Sequence, residues 1–406
     1  MTSLARTPVR RIIAAVADAA ARWSDADFPP RVRLLDRIME RTGYTLPVVE
    51  YALDSLFFSI DRTALEDTIA DELGSLAALD GFTPRTGRPD AHARAAGRVC
   101  IVSSRTTIGV AIVPAIFALC AKCDVVVKDR EDGLVRAFFL TLAQELDAFP
   151  NAARAQAWDG ESEGTDLAEF DAVVAFGSDD TLVRIRQRTS ANAAFVGYGA
   201  KASVGYAGRD ALTAENLRSF TDAAARDLVL YETEGCMSLH VLFIERDGNV
   251  KPQEVARAIA SAVERAAVEF PPGLRDAAAG ARILSARNLA AFRSAAGSGA
   301  VFSDKTASYI AVLDPPFDEP PALLPRTLAV RTVDSPADAL DYVRAHALPV
   351  EAVAIAGTRD DIVNMALDMQ ANRMTSFGAL QRPPLAGGHG GHPRIGNFVR
   401  WVTREV

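Results

Sequence analysis

The sequence predicts an α/β fold in which helices cover a parallel sheet, and two observations support this class. From residue 98 onward, short apolar runs alternate with longer stretches whose apolar residues recur at helical spacing. Each apolar run ends at a polar or glycine-containing turn, which is typical of strands buried on both faces of a parallel sheet. The chain has 406 residues, of which 49% are hydrophobic and 24% charged, so two or three domains with real cores are expected.

Helices dominate the region from Met1 to Asp80 in this interpretation. Asp80-Gly81 closes the helical region, and we interpret residues 83–89, with two prolines and a glycine, as a loop or linker. The first α/β block then follows. Its predicted strands are 99–103, 125–127 and 172–176, and its predicted helices are 112–122 and 134–148.

A second α/β block begins near residue 233, and a loop rich in glycine and proline follows it at 383–393. The predicted strands of this block are 239–245, 307–313, 327–332 and 352–356, and its predicted helices are 253–270 and 337–347.

Charge and hydropathy exclude several classes of protein. With 44 basic and 52 acidic residues the net charge is −8, a poor electrostatic match to nucleic acid. The longest apolar run, residues 108–121, is too short to span a bilayer, which needs about 20 residues. Arg10-Arg11 precedes an apolar run that is too short for an export signal. We expect a soluble cytoplasmic protein that binds no nucleic acid and has no membrane span.

Four cysteines are too few for a disulfide framework in so long a chain, and Cys236 is the most informative of them. It lies in Glu234-Gly235-Cys236-Met237-Ser238, on a turn between a predicted helix and an apolar strand. Such turns offer free backbone N–H groups, which favour a reactive thiolate. A small buried cysteine is the alternative interpretation.

Other candidate ligands are less specific. Cys120 and Cys123 form a single C-x-x-C pair at the end of an apolar helix, where burial is the expectation. His389 and His392 lie three apart in the glycine-rich loop, with no carboxylate or cysteine beside them. His240 would lie about 13 Å from Cys236 along a strand, too far to act as its base. We therefore expect no metal site.

Polar residues follow two of the predicted strands at the position where open α/β sheets bind ligands. Lys128-Asp129-Arg130-Glu131 follows one strand, and Gly177-Ser178 follows another at the start of a helix. A lysine or glutamate there could meet a nucleotide ribose, and a helix N-terminus suits a pyrophosphate. A solvated charge cluster is the alternative for the first motif.

Taken in order, these elements resemble the aldehyde dehydrogenase superfamily, and most closely its acyl-CoA reductase branch, the fatty acyl reductases of bacterial bioluminescence. The resemblance covers most of residues 98–406. Its anchors are Val125-Val126-Val127-Lys128, Phe176-Gly177-Ser178, Tyr198-Gly199-Ala200-Lys201-Ala202-Ser203, Glu234-Gly235-Cys236-Met237-Ser238, Leu324-Pro325-Arg326-Thr327, Arg373, Gly378-Ala379-Leu380-Gln381-Arg382-Pro383-Pro384 and Val399-Arg400-Trp401.

The resemblance implies roles for these residues. Cys236 matches the nucleophile that forms a thioester. Lys128 matches the lysine on the adenosine ribose, and Gly177 and Ser178 match the turn beside the pyrophosphate. Glu131 stands where NAD-preferring members carry a ribose-binding glutamate, whereas neighbouring Arg130 could attract a 2′-phosphate, so the cofactor is NADPH or NADH.

Two of the departures from the superfamily pattern bear on the chemistry, and the first of them indicates the direction of the reaction. Gly197 occupies the position of the water-activating glutamate of enzymes that hydrolyse their thioester. A thioester exchanged with a thiol needs no activated water, so the loss suits an acyl-thioester reductase. The superfamily's oxyanion-hole asparagine is also missing. Thr106 or Thr107 is the nearest candidate donor, with Thr106 the residue we name, and the Cys236 N–H could supply a second hydrogen bond.

We therefore expect NAD(P)H-dependent reduction of an acyl-CoA or acyl-carrier protein, fatty acyl by the resemblance, to an aldehyde. An ordinary aldehyde dehydrogenase, an acyl phosphate reductase and a non-catalytic scaffold in an acyl-transfer complex are the alternatives. We also expect a homo-oligomer. The predicted segments are a helical region and linker (1–97), a Rossmann-type NAD(P)-binding domain (98–232), an α/β catalytic domain (233–375) and a C-terminal return segment that could serve oligomerisation (376–406).

Overall fold

The computed structural model describes residues 3–104, 107–129, 133–157 and 166–405. Its contacts divide the chain into two compact units, neither of which is continuous in sequence. The first unit comprises Met1–Thr42, Val49–Ala200 and Pro384–Val406, and the second comprises Gly43–Val48 and Lys201–Pro383.

Helices account for most of the chain before β1 and alternate with strands afterwards. They are α1 (Val9–Ser24), α2 (Pro29–Val32), α3 (Leu35–Thr42), α4 (Leu46–Phe58), α5 (Arg62–Leu73), α6 (Ile112–Cys120), α7 (Leu134–Glu145), α8 (Asp179–Gln187), α9 (Leu217–Val229), α10 (Pro252–Glu269), α11 (Ala277–Ala295), α12 (Pro336–Ala345) and α13 (Asp360–Asp368). Among the described residues, no helix is both long and apolar enough to cross a membrane.

The strands belong to three sheets. They are β1 (Thr83–Arg85), β2 (Arg88–Ala95), β3 (Arg98–Val102), β4 (Asp124–Lys128), β5 (Ala153–Gln156), β6 (Ala172–Phe176), β7 (Ala194–Tyr198), β8 (Ala202–Ala207), β9 (Leu239–Glu245), β10 (Ala300–Phe302), β11 (Ile310–Leu313), β12 (Thr327–Val333), β13 (Val350–Ala356), β14 (Arg373–Thr375) and β15 (Val399–Arg404).

The first unit contains a five-stranded parallel sheet with the order β5-β4-β3-β6-β7. The chain builds outward from β3 to β5 and then crosses to β6 on the other side of β3. This reversal is the topological switch point of a doubly wound, Rossmann-type sheet, beside which such folds bind their ligands. The predicted α/β class is therefore confirmed, and the strand predicted at 172–176 is observed with those bounds.

A second, antiparallel sheet of the first unit joins β1, β2 and β15. The prediction of a loop at residues 83–89 was therefore wrong, because β1, the turn Thr86-Gly87 and the first two residues of β2 form a hairpin there. The hairpin is extended by β15, which pairs with β2 from Ala95↔Val399 to Asp90↔Arg404. This third strand comes from a distant part of the sequence, so residues 83–89 alone give no sign of it.

The glutamate Glu72 anchors the segment that leads into β15. Its carboxylate accepts hydrogen bonds from three successive backbone N–H groups, those of Arg394 (2.5 Å), Ile395 (2.9 Å) and Gly396 (3.0 Å). One carboxylate therefore accepts hydrogen bonds from three backbone N–H groups that are not paired in a helix or a sheet.

The second unit contains a seven-stranded sheet with the order β10-β11-β12-β9-β8-β13-β14. All neighbouring pairs are parallel except β10 with β11. Its central strands are buried on both faces, and α12 and α13 cover one of them with an apolar cluster that includes Val204, Phe243, Val353 and Met365.

The two units differ from the segments that the sequence predicted. The segment 98–232 does not form one domain, because β8 pairs with β9 and β13 and so places the boundary after Ala200. Residues 1–97 belong to the first unit except for 43–48. The return segment 376–406 is divided after Pro383, and its second part belongs to the first unit.

Candidate active site

Cys236 lies on the turn that connects α9 to β9, three residues before the strand begins. Its side chain is partly exposed, whereas Cys100, Cys120 and Cys123 are fully buried. Burial raises the pKa of the Cys100 and Cys120 thiols to about 12 and that of Cys123 to about 11. Cys236 is thus the least buried of the four cysteines.

The turn before Cys236 has an unusual backbone. Tyr231, Glu232 and Thr233 have φ values of 55°, 54° and 61°, in the left-handed region that non-glycine residues rarely adopt. Three such residues in succession persist only where the surrounding structure fixes them, and left-handed strain of this kind is frequent at functional sites.

A buried ion-pair network fixes this turn. Glu232 accepts hydrogen bonds from Arg326 Nε (2.8 Å), from Arg275 Nη2 (3.1 Å) and from the backbone N–H of Gly273 (3.2 Å). Arg326 is only 1% exposed, and its backbone N–H also donates to Thr233 Oγ1 at 3.1 Å. The Leu324-Pro325-Arg326-Thr327 motif therefore supports the cysteine turn from the start of β12.

Two further hydrogen bonds hold Cys236 itself and Ser238, two residues later. Ser203 on β8 donates its hydroxyl to the Cys236 carbonyl oxygen at 2.8 Å. Gln381 donates its Nε2 to Ser238 Oγ at 2.7 Å. The turn is consequently attached both to the neighbouring strand and to the loop that follows β14.

Asp227 at the end of α9 secures that loop. Its carboxylate accepts the backbone N–H groups of Gly378 (2.6 Å) and Leu380 (3.2 Å). Because the group is completely buried, its pKa is raised to about 7 in spite of these hydrogen bonds and of the charge of Arg373.

Three charged residues that act on the thiol lie on other parts of the sheet: Lys201 just before β8, Glu351 in β13 and Arg373 in β14. Burial, and after it the charge of Glu351, raises the pKa of the Cys236 thiol to about 11, although Lys201, the backbone N–H of Cys236 and Arg373 act to lower it. Lys201 and Glu351 form an ion pair of 3.0 Å. The site therefore combines a cysteine thiol with an ion pair at the same edge of the sheet.

His240 does not serve the cysteine. It is buried in β9, and its Nε2 lies 3.1 Å from the carbonyl oxygen of Thr233. Burial lowers its pKa, so the neutral ring packs within the sheet, as the strand spacing indicated.

In the first unit, the predicted ligand-binding residues lie at the carboxyl edge of the parallel sheet. Lys128 is the last residue of β4 and is buried. Gly177 follows β6, and Ser178 caps α8 by accepting the N–H of Thr181 at 3.4 Å. A Cβ at Gly177 would lie 3.1 Å from Thr181 Cγ2, so the turn packs closely on the helix. Thr106, Arg130 and Glu131 lie outside the described residues.

The donors at this edge fit a dinucleotide. A lysine ammonium suits ribose hydroxyls, and the N-terminus of a nine-residue helix beside the switch point suits phosphate oxygens. Asp179 and Asp180 in the first turn of α8 already place negative charge at this helix end, which weakens its attraction for phosphate. Lys128 thus carries more of the expected interaction than the helix end does.

An aromatic stack at the same edge was not predicted from the sequence. Tyr198, the last residue of β7, stacks on Phe176 with ring centroids 4.7 Å apart and on His389 at 4.5 Å. His389 and His392 exchange backbone hydrogen bonds of 2.8 and 2.9 Å, which close a tight hairpin. Within the described part of the chain, no group of three or more His, Cys, Asp or Glu residues could hold a metal ion.

Comparison with solved structures shows the same fold. A NAD-dependent benzaldehyde dehydrogenase from Corynebacterium glutamicum is similar with a TM-score of 0.72 and 14% identity, covering 99% of this chain and 87% of its own. A glyceraldehyde-3-phosphate dehydrogenase from Methanocaldococcus jannaschii, complexed with NADP, is similar with a TM-score of 0.71 and 10% identity, covering 99% and 90%. The fold is that of the aldehyde dehydrogenases.

A family model named acyl-CoA reductase (LuxC) matches residues 4–401. The chain therefore belongs to the LuxC acyl-CoA reductase family and is an oxidoreductase that reduces acyl groups. The resemblance identified from the sequence is confirmed. A sequence search of curated proteins returned no match.

Proposed function

We propose that the protein reduces an acyl thioester, acyl-CoA or acyl-carrier protein and fatty acyl in kind, to the aldehyde with NADPH or NADH, through a thioester on Cys236. The observation that carries this proposal is Cys236 itself. It is the one cysteine of the four that is only partly buried, and it lies on a backbone turn fixed from several sides. Family membership supports the reaction class.

The coenzyme part of the proposal rests on the first unit. Lys128 would hold the ribose, and the Gly177-Ser178 turn would lie beside the pyrophosphate, with Arg130 and Glu131 proposed to select between NADPH and NADH. Structural neighbours that were solved in complex with NADP and with NAD⁺ support this assignment. The coenzyme, when bound, supplies the hydride.

Cys236 performs the covalent chemistry in this proposal. Its sulfur attacks the thioester carbonyl carbon, the bond from that carbon to the CoA or carrier sulfur breaks, and the departing thiol carries away the proton that Cys236 loses. The backbone N–H of Cys236 and the hydroxyl of Thr106 would donate to the oxyanion. After reduction, the thiohemiacetal on Cys236 collapses to the free aldehyde and the cysteine thiol.

The test is the intact mass of the protein after incubation with an acyl-CoA in the absence of reduced coenzyme. We expect one added acyl group on the wild type and none on Cys236→Ala, because the other thiols are buried. A Cys120→Ala variant is the matched control and should still be acylated. Addition of NADPH or NADH should remove the adduct and release aldehyde.

Acyl phosphate, and aldehyde with oxidised coenzyme, are tested in parallel. An adduct from acyl phosphate but not from acyl-CoA would indicate an acyl phosphate reductase instead of an acyl-CoA reductase. Turnover retained by Cys236→Ala would refute the mechanism.

A further inference from the structure

Four residues that are far apart in sequence meet at one edge of the second unit's sheet. The strands β8, β9, β13 and β14 are parallel, so their amino ends lie together. Val350 pairs with Ala202, and Ser203 pairs with Leu239. The amino end of each strand carries one of these residues. Lys201 precedes β8, Cys236 lies on the turn before β9, and Glu351 is the second residue of β13. Arg373 is the first residue of β14, where it pairs with Ala352.

Glu351 is a carboxylate in a place where carboxylates are rare. It is the second residue of β13, it is 5% exposed, and it interrupts an otherwise apolar strand. Its Oε2 lies 3.0 Å from Lys201 Nζ and accepts a hydrogen bond from Asn372 Nδ2 at 2.9 Å. A buried charge held in this way needs its partners, so Lys201 is fixed beside it.

Lys201 and Glu351 act on the cysteine with opposite sign. Burial and Glu351 raise the pKa of the thiol, whereas the Lys201 and Arg373 charges lower it. Arg373 is committed elsewhere, because its guanidinium donates to the carbonyl oxygens of Ala379 and Leu380. Lys201, the other of these two cations, is held at the amino end of the sheet by its ion pair with Glu351.

We infer that Lys201 and Glu351 are a positioning pair that governs the ionisation of Cys236, with Lys201 stabilising the thiolate and Glu351 opposing it. The inference rests on the proposed role of Cys236 as nucleophile. Burial is the largest cause that raises the pKa of the sulfur, so the cysteine rests as a thiol. When the thiolate forms, Lys201 stabilises it by its positive charge.

The test is the rate at which iodoacetamide alkylates Cys236 between pH 6 and 10, measured by intact mass without substrate or coenzyme. A neighbouring charge changes a thiol pKa by about one unit or more, and each unit changes the thiolate fraction about tenfold below the pKa. We expect Lys201→Met to slow alkylation about tenfold and Glu351→Gln to accelerate it about tenfold. Lys201→Arg keeps the charge and should restore the wild-type rate.

The opposite direction of the two effects separates this role from a structural one. If the ion pair only held the sheet together, removing either partner would loosen the site in the same way. Changes in the same direction, or below twofold, would overturn the inference. Glu269→Gln is the matched control, because it breaks the exposed Arg226–Glu269 pair of the same unit and should leave the rate unchanged. Cys236→Ala gives the baseline.

Lys201 is partly exposed, so Lys201→Met and Lys201→Arg decide the question even if Glu351→Gln does not fold. Acylation of the wild type is measured separately. Altered alkylation without acylation would refute the proposed function and keep the inference, whereas acylation with unaltered alkylation would do the reverse.

Discussion

Replacing Arg326 with methionine should destabilise the second unit more than any exposed ion pair could. Arg326 is 1% exposed, and it bonds Glu232 through Nε at 2.8 Å and through Nη2 at 2.6 Å. Removing one partner of a buried pair typically costs about 3–5 kcal/mol, because the other charge stays buried. Glu232 keeps Arg275 and the Gly273 N–H, so we expect about 3 kcal/mol.

Urea unfolding gives this free energy, and two further variants test its origin. Arg265→Met removes a half-exposed pair with Asp222 and should cost at most about 1 kcal/mol. Glu232→Gln leaves both Arg326 and Arg275 without a carboxylate partner, so it should cost at least as much as Arg326→Met. A loss below about 1 kcal/mol for Arg326→Met, or a smaller loss for Glu232→Gln than for Arg326→Met, would refute the reasoning.

Two further predictions concern other carboxylates. Glu72→Ala should remove three charged hydrogen bonds and lower the local opening free energy of residues 394–396 by about 3 kcal/mol; hydrogen exchange of those amides measures it, and unchanged protection would contradict it. For Asp227, the folded pKa of about 7 exceeds the unfolded value near 4, so its contribution to stability is present below pH 4 and lost as pH rises through 7. Urea midpoints should fall over this range by less in Asp227→Asn, and equal slopes would contradict the assignment.

The parallel strands were predictable because the sequence carries their signal locally. Residues 172–176 and 239–245 are continuous apolar runs that end at polar turns, and the structure reproduces both ranges. The hairpin of β1 and β2 had no such signal. Its sequence is polar and rich in proline, and its pairing depends on β15, which lies near the opposite end of the chain.

The division into units was not predictable for a similar reason. Only three residues separate β7 from β8, and nothing in them marks a boundary. Which sheet a strand joins is determined by partners far away in sequence, β9 and β13 in the case of β8. The local sequence of β8 therefore does not show which of the two sheets this strand joins.

The candidate site was predictable in part. Cys236 has a recognisable local context, and Lys128, Gly177 and Ser178 follow apolar strands. The surroundings of the cysteine depend on sheet register, which brings Lys201 and Glu351 together although they are distant in sequence. One signal was available: Glu351, the second residue of β13, is the single charged residue in that apolar strand.

The course of the chain has a consequence for synthesis on the ribosome. The chain leaves the first unit after Ala200 and returns to it only with Pro384–Val406. Because β15 lies in that last segment, β2 lacks this partner strand until the second unit has been synthesised. At roughly 5–20 residues per second, the intervening segment takes about 10–40 s to emerge. During that time β2 presents an open edge, and a holding chaperone that covers this edge should raise the yield of native protein.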